Sequence, residues 1–271
     1  MEEGRVRWAQ SGEANIAFRV LGDGPVDLVF LSGIASHIEV LLEEPGLRRW
    51  WERLSSIARV VLIDRRGLGL SDRTETPISL DDEVTDLDAV LDAAGCDRVV
   101  VQSYAAGGPL AVHYAARRPD RTLALVLYAS IMATERDDEV TWADTPEGRQ
   151  ERIAKLLERW GTGANIEVMA PSVAQDARMR AWMGRLERQS ATPAGFLRVA
   201  ANLQGIDVRP LLGDLRVPAL VLHRTGDRLI DVGHSRLAAQ RIPGARLVEL
   251  PGSDSLPMVG DTEALLGEIE E

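Results

Sequence analysis

Short apolar runs, alternating with segments of helical spacing, constrain this chain more than any other feature. The runs Val26–Leu31, Val60–Ile63, Val99–Val101, Leu123–Tyr128 and Ala219–His223 are largely apolar, and Arg246–Leu250 reads as a further strand. Runs of this length read as strands covered on both faces. Between them lie helical patterns. Leu47, Trp50, Trp51, Leu54 and Ile57 share one face, and Val84, Leu87, Val90 and Leu91 form another stripe. Ser79 with Asp82 three residues on starts the second of these helices, and Gly95 stops it. Gly107–Arg118, closed by Pro119, Val232–Arg241 and Glu263–Ile269 complete the set. Strands alternating with helices make an α/β protein with a mostly parallel, doubly wound sheet. Two further strands, Val6–Ala9 and Ile16–Val20, precede the first parallel one.

The alternation breaks after Tyr128. From about Ile131 to Gly205 the patterns are helical only: a start at Thr145-Pro146-Glu147, then Arg152–Trp160, Ser172–Gln189 and Pro193–Leu203. The expected organisation is a core of residues 1–130 and 206–271 with a helical cap, 131–205, inserted into it. The cap holds Trp142, Trp160 and Trp182 with Met132, Met169, Met179 and Met183. Such a roof favours an apolar, flat or polycyclic ligand.

Composition narrows the partners. A net charge of −11 disfavours a phosphate backbone, so no nucleic acid is expected. No run approaches the roughly 18 apolar residues of a membrane span. Met1–Trp8 lacks the basic and apolar regions of a secretory signal, and a cytoplasmic location is expected. The single cysteine, Cys96, excludes internal disulfides and a thiolate zinc cluster, and the four histidines show no metal-ligand spacing. No cofactor or metal is expected. The expected partner is an apolar small molecule, with a homodimer left open.

The chemistry should sit at Val99–Pro109, a strand, a sharp turn and a helix. In a G-x-S-x-G elbow, small residues two before and two after the nucleophile let the chain turn tightly and expose one side chain. Here the small pair is Ser103 and Gly107, and the residue between them is Ala105. The frame is present and the hydroxyl is absent. Ser103 as nucleophile would put β-branched Val101 at the tight position and Gly107-Gly108 out of register, so the weight rests on Ala105.

With the elbow, four further segments carry a resemblance: Ser36-His37-Ile38-Glu39 with Glu43-Glu44-Pro45, Asp64-Arg65-Arg66-Gly67-Leu68-Gly69-Leu70-Ser71-Asp72, Val221–Asp227 and Leu250–Pro257. The chain resembles the α/β-hydrolase-fold superfamily over nearly its whole length, and in particular actinobacterial members, including those joined to adenylate/guanylate cyclase domains. The resemblance implies a chain order of nucleophile, acid, histidine. It places the acid at Asp227, which is retained, and the histidine at Ser255, so two of the three triad positions have lost their chemistry. It also implies an oxyanion hole from the backbone N–H groups of Ala106 and Ile34, which side-chain losses leave intact.

Ala105 cannot attack a carbonyl, and Ser255 cannot accept a proton as an imidazole does. The expected function is therefore cofactor-free, non-hydrolytic carbonyl chemistry (lyase, isomerase, cyclase or conjugate addition), with secondary metabolism a natural setting. The alternatives are a ligand-binding pseudo-hydrolase and an ester or lactone hydrolase inactivated by mutation. The candidate proton movers are Asp227, acting directly if burial raises its pKa, and His37, in a loop expected to border the pocket. Tyr104, Trp142 and Met169 are the candidate substrate-binding residues. His113 and His223 read as packed residues, His234 as a solvated one, Asp64–Gly67 as a loop fixed by internal ion pairing and Cys96 as inert.

Overall fold

The computed structural model describes residues 4–271; Met1–Glu3, part of the segment read for a targeting signal, lie outside them. Eight strands form one sheet: β1 (Arg7–Ser11), β2 (Ala14–Leu21), β3 (Val26–Leu31), β4 (Ala58–Ile63), β5 (Val99–Tyr104), β6 (Thr122–Tyr128), β7 (Ala219–Arg224) and β8 (Arg246–Leu250). Their order is β1-β2-β4-β3-β5-β6-β7-β8. The β1–β2 and β2–β4 pairs are antiparallel, and every pair from β4 to β8 is parallel. The apolar runs read from the sequence are the central strands, and Val29, Val61, Val101, Leu125, Leu127 and Val221 have no exposed surface.

Helices cover both faces. They are α1 (Ile38–Glu43), α2 (Pro45–Ser55), α3 (Leu80–Ala94), α4 (Gly108–Arg117), then α5 (Pro146–Arg159), α6 (Ile166–Met169), α7 (Ala177–Ser190) and α8 (Pro193–Asn202) between β6 and β7, and finally α9 (Arg209–Leu212), α10 (Gly233–Arg241) and α11 (Thr262–Glu270). Helix α3 has the expected reciprocal cap between Ser79 and Asp82, and Gly95 closes it at φ 72°. Among the described residues no helix is long and apolar enough to cross a membrane.

One helix differs from expectation. Ser172–Gln189 is not continuous: Pro171–Val173 is a separate turn, and α7 starts only after Asp176. The Asp176 carboxylate accepts the amides of Arg178 and Met179, so the side chain competes with the preceding backbone and opens a new helix there.

The cap helices lie over the C-terminal ends of the strands. Helix α7 docks on α1, with the Trp182 indole N–H donating to Val40 O at 3.0 Å, and Arg178 pairs with the buried Glu44 carboxylate at 2.7 Å. Inside the cap, the Trp160 and Phe196 rings meet at 4.4 Å. Between β3 and β5 the chain changes direction: β4 lies on one side of β3 and β5 on the other. Loops leaving those two strands diverge, which is where an open α/β sheet forms its binding crevice.

Candidate active site

Strand β5 ends at Tyr104 in extended conformation, and Ala105 then turns to φ 49°. An L-residue there costs about 1–2 kcal/mol relative to ordinary backbone. What enforces the turn is close approach. A Cβ on Gly107 would sit 2.2 Å from Leu31 O, and one on Gly108 2.6 Å from the Ser130 Cβ. The glycines let α4 start against β3 and the segment after β6. Ser103 does not face the crevice: its buried hydroxyl bonds that of Ser130 at 2.8 Å.

The loop after β3 lies against the elbow, since a Cβ on Gly33 would be 3.6 Å from the Ala105 methyl. Arg65 locks the two together. Its guanidinium donates to Ser32 O at 3.3 Å and Ala106 O at 3.1 Å, and pairs with Glu83 at 2.6 Å, both side chains being buried. Arg66 pairs with Asp86, so the basic pair is held by internal ion pairing.

Above the elbow the cap encloses a cavity of about 170 Å³. Ile34, Tyr104, Ala105, Ala106 and Met169 line it, with Trp51, Trp160, Trp182 and Phe196. A dry cavity of about 150 Å³ accommodates benzene, so this one holds a single substituted ring. Arg149 and Arg152 also line it, as does Glu187, whose carboxylate is taken up by the Gly161 amide at 2.7 Å and the Asn165 amide at 2.7 Å. No sequence signal separated these polar residues from the cap's surface charges.

Two expected members lie elsewhere. Trp142 does not line the cavity; its ring covers Gly233 and meets His234 edge-on at 5.8 Å. His37 is also absent from the lining. It caps α1, its Nδ1 accepting the Val40 amide at 3.4 Å, while its neighbours Ser36 and Ile38 bond Asp64. That segment is a brace around a buried carboxylate, not a proton-transfer loop.

The Asp227 side chain is buried and does not line the cavity either. Its Oδ1 accepts the amides of Leu229 at 2.7 Å and Ile230 at 3.1 Å. Its Oδ2 has no hydrogen bond of ordinary length, and His223 Nε2 is 4.0 Å away. Burial raises the carboxyl's pKa; the backbone amides and the Ser255 hydroxyl beside it act the other way. The sequence places Asp227 as a direct base; in the structure its carboxylate lies outside the cavity lining.

Ser255 contacts Tyr104, whose hydroxyl donates to Ser255 Oγ at 3.0 Å, and the Tyr104 ring stacks on Tyr128 at 5.8 Å. The Ser255 amide donates to Met169 O at 2.7 Å, and Asp254 accepts the Ser172 amide and hydroxyl, tying the last loop to the cap. Buried Arg224 donates to the carbonyls of Asp254, Leu256, Pro257 and Asp261 and so fixes the loop's path.

The other histidines are structural. His223 is satisfied by Ser235 at 2.7 Å and Ile230 O at 3.0 Å, which makes Nε2 the protonated nitrogen. His113 bonds Asp81 at 2.8 Å on the helical face of the molecule. His234 is buried rather than solvated: Nδ1 accepts the Met132 amide at 3.4 Å, and burial pushes its pKa down to about 4. The Cys96 thiol is pushed up to about 11, chiefly by burial, as suits an inert thiol.

Known proteins resemble this one over its full length. It is 28% identical to a pimeloyl-[acyl-carrier protein] methyl ester esterase of Chromobacterium violaceum, across 95% of this chain and 97% of that one. It is 25% identical to a 2-(acetamidomethylene)succinate hydrolase of Mesorhizobium japonicum, across 90% and 86%. Among solved structures, the esterase RhEst1 from Rhodococcus superposes with a TM-score of 0.77 at 26% identity, across 98% and 97%. The model of the alpha/beta hydrolase fold matches residues 28–260, and the chain belongs to that family.

Proposed function

We propose that the cavity binds a small apolar carbonyl compound at the elbow and transforms it without a covalent acyl intermediate. In this reading Ala105, Asp227 and Ser255 occupy the triad-equivalent positions, and the first and last have lost their chemistry. The observation that carries it is the strained φ of Ala105 beneath an apolar cavity. A turn costing about 1–2 kcal/mol is kept although it presents only a methyl group. What the turn still presents is the backbone of Ala106, which lines the cavity together with Ile34. Two such N–H groups stabilise a developing oxyanion by roughly 3–4 kcal/mol each when well aligned. Such donors suit an enolate or alkoxide as well as a tetrahedral intermediate, which leaves elimination, isomerisation, cyclisation and conjugate addition open. That the relatives are named for ester and hydrolase activities supports a carbonyl as the recognised group.

The test compares acetophenone with α-methylstyrene, which replaces the carbonyl oxygen by a methylene of similar shape. Quenching of tryptophan fluorescence reads binding, since Trp51, Trp160 and Trp182 line the cavity. Acetophenone should bind about tenfold more tightly, the value of one hydrogen bond of about 1.4 kcal/mol. Peptide mass mapping after treatment with p-nitrophenyl acetate should show no acyl adduct on the elbow segment Val99–Pro109, whose hydroxyls are Ser103 and Tyr104. Equal affinities, or an adduct there, would contradict the proposal. A module that binds without turnover is the second reading, favoured by the sealing of Asp227 away from the cavity.

A further inference from the structure

A guanidinium stands in the wall of the apolar cavity. At the elbow, Ala105 O accepts the Ile131 amide at 3.0 Å. Three residues on, the Thr134 hydroxyl donates to Leu203 O at 2.8 Å, and Arg149 Nη1 donates to the same carbonyl at 2.9 Å. Ala105, Ile131, Thr134 and Arg149 all line the cavity, so this strip of wall runs from the elbow to a cation. Three residues of chain span at most about 10 Å, within reach of the two substituents of a para-substituted ring. Arg149 is held there but not neutralised. Its Nη2 donates to Ala200 O at 2.8 Å, so both partners are uncharged carbonyls at the C-terminal end of α8. The Nε–H and a further hydrogen on each terminal nitrogen are left over. Among the described residues no carboxylate pairs with it, and Asp144 is taken by Arg152 at 2.6 Å. Burial pushes the Arg149 pKa down and the Arg152 cation adds to this, while Glu135 and Asp144 act the other way. An arginine stays charged nonetheless, so the wall keeps a half-desolvated cation. The lining's carboxylate, Glu187, does not compensate it: the N–H groups of Gly161, Gly163 and Asn165 take its oxygens at 2.7, 3.3 and 2.7 Å.

We infer that Arg149 is a specificity-determining residue for a ligand that carries a carboxylate: a small keto acid, its acid group on the guanidinium and its carbonyl at the elbow. The carbonyl end rests on the function proposed above; the carboxylate end rests on the wall itself. A guanidinium fork matches the two oxygens of a carboxylate, and such charge-assisted bonds are about twice as strong as neutral ones. A ligand carboxylate would supply the charge that Ala200 O and Leu203 O do not, in surroundings where an uncompensated charge is costly. Arg152 lines the cavity beside Arg149 and adds positive potential at the same end. The chain as a whole carries a net charge of −11, so this end of the cavity runs against the overall balance. The apolar wall between the two ends takes the ligand's middle.

Isothermal titration calorimetry compares 4-acetylbenzoate with 4-acetylbenzamide, its neutral isostere. Because Arg149 also ties α5 to α8, the experiment reads the ratio of the two affinities, which a purely structural role leaves unchanged. The parent should bind the carboxylate about 10- to 100-fold more tightly, the scale of hydrogen bonds to a charged group. Arg149→Met should abolish the preference. Arg149→Lys, which keeps the charge and loses the fork, should retain part of it. Thermal melts establish that each variant is folded, and the lysine variant decides if the methionine one is not. Equal affinities in the parent, an unaltered ratio in the folded variants, or binding of neither compound would overturn the assignment. 4-Isopropenylbenzoate, which keeps the carboxylate and replaces the ketone oxygen by a methylene, separates the two ends. If it binds as tightly as 4-acetylbenzoate and Arg149→Met weakens both, the carbonyl reading fails and the anchor stands. If acetophenone outbinds α-methylstyrene while the carboxylate gains nothing over the amide, the anchor fails and the carbonyl reading stands.

Discussion

Restoring a hydroxyl and an imidazole to the elbow should convert this chain into an esterase, and only when both are restored. The perturbation is Ala105→Ser together with Ser255→His. Ala105 already has the turned φ of 49°, so a serine there inherits a cavity-facing position without new backbone strain. A serine without a base is nearly inert: removing the nucleophile or the histidine from such a triad costs about as much as removing all three members, on the order of 10⁶ in turnover. Each single variant should thus hydrolyse p-nitrophenyl acetate at the parent's rate. The double variant should not reach the full factor. An imidazole at position 255 enters a site where Tyr104 Oη lies 3.0 Å from the present side-chain oxygen, and a misplacement of about 1 Å costs about 100-fold. The expected gain is therefore on the order of 10³–10⁴ over the parent, and adding Tyr104→Phe should raise it further. Initial rates of p-nitrophenol release, with a thermal melt for each variant, provide the assay. A folded double variant no faster than the parent would refute the assignment of Ala105 and Ser255. So would Ala105→Ser alone giving the full gain, since the base would then lie elsewhere.

Other consequences follow from the packing. Arg224→Met should destabilise by about 3–5 kcal/mol in urea, because three buried carbonyls of the last loop and the part-buried one of Asp261 lose their donor. His234 is depressed to about 4 in the fold against about 6.5 when unfolded, so its contribution is complete above the unfolded value and is lost as pH falls toward 4, to about 3 kcal/mol. The matching measurement is the ring's NMR titration, which should stay flat to below pH 5, with urea midpoints falling over the same range. Trp182→Ala should cost about 3–5 kcal/mol and enlarge the cavity, admitting 2-acetylnaphthalene, which the parent should exclude; fluorescence and calorimetric titrations check this.

The strands and the elbow were legible because their causes are local. β-branched runs covered on both faces leave no polar stripe, and small residues at 103 and 107 announce a tight turn before any contact is known. Ser79, Asp82 and Gly95 mark helix ends through bonds within a few residues. The site's wiring has no such signature. Tyr104 and Ser255 are 151 positions apart, and nothing in either segment names the other. His37 and Trp142 looked available because their types suit chemistry and binding. Their fates were decided by distant groups, Asp64 below the α1 segment and Gly233 beneath the indole. His234 opens a helix, usually an exposed place, yet Trp142 and the Met132 backbone cover it. The break in the cap at Asp176 was visible in principle as a capping residue, but the apolar spacing on either side masked it.

A crystal structure of the chain with acetophenone bound tests the central proposal most directly. The carbonyl oxygen should lie about 2.7–3.1 Å from the Ala106 amide nitrogen, with the ring under Trp182 and continuous density absent between ligand and Ala105. A ketone seated with its oxygen turned toward the cap, or bound outside the cavity, would contradict it.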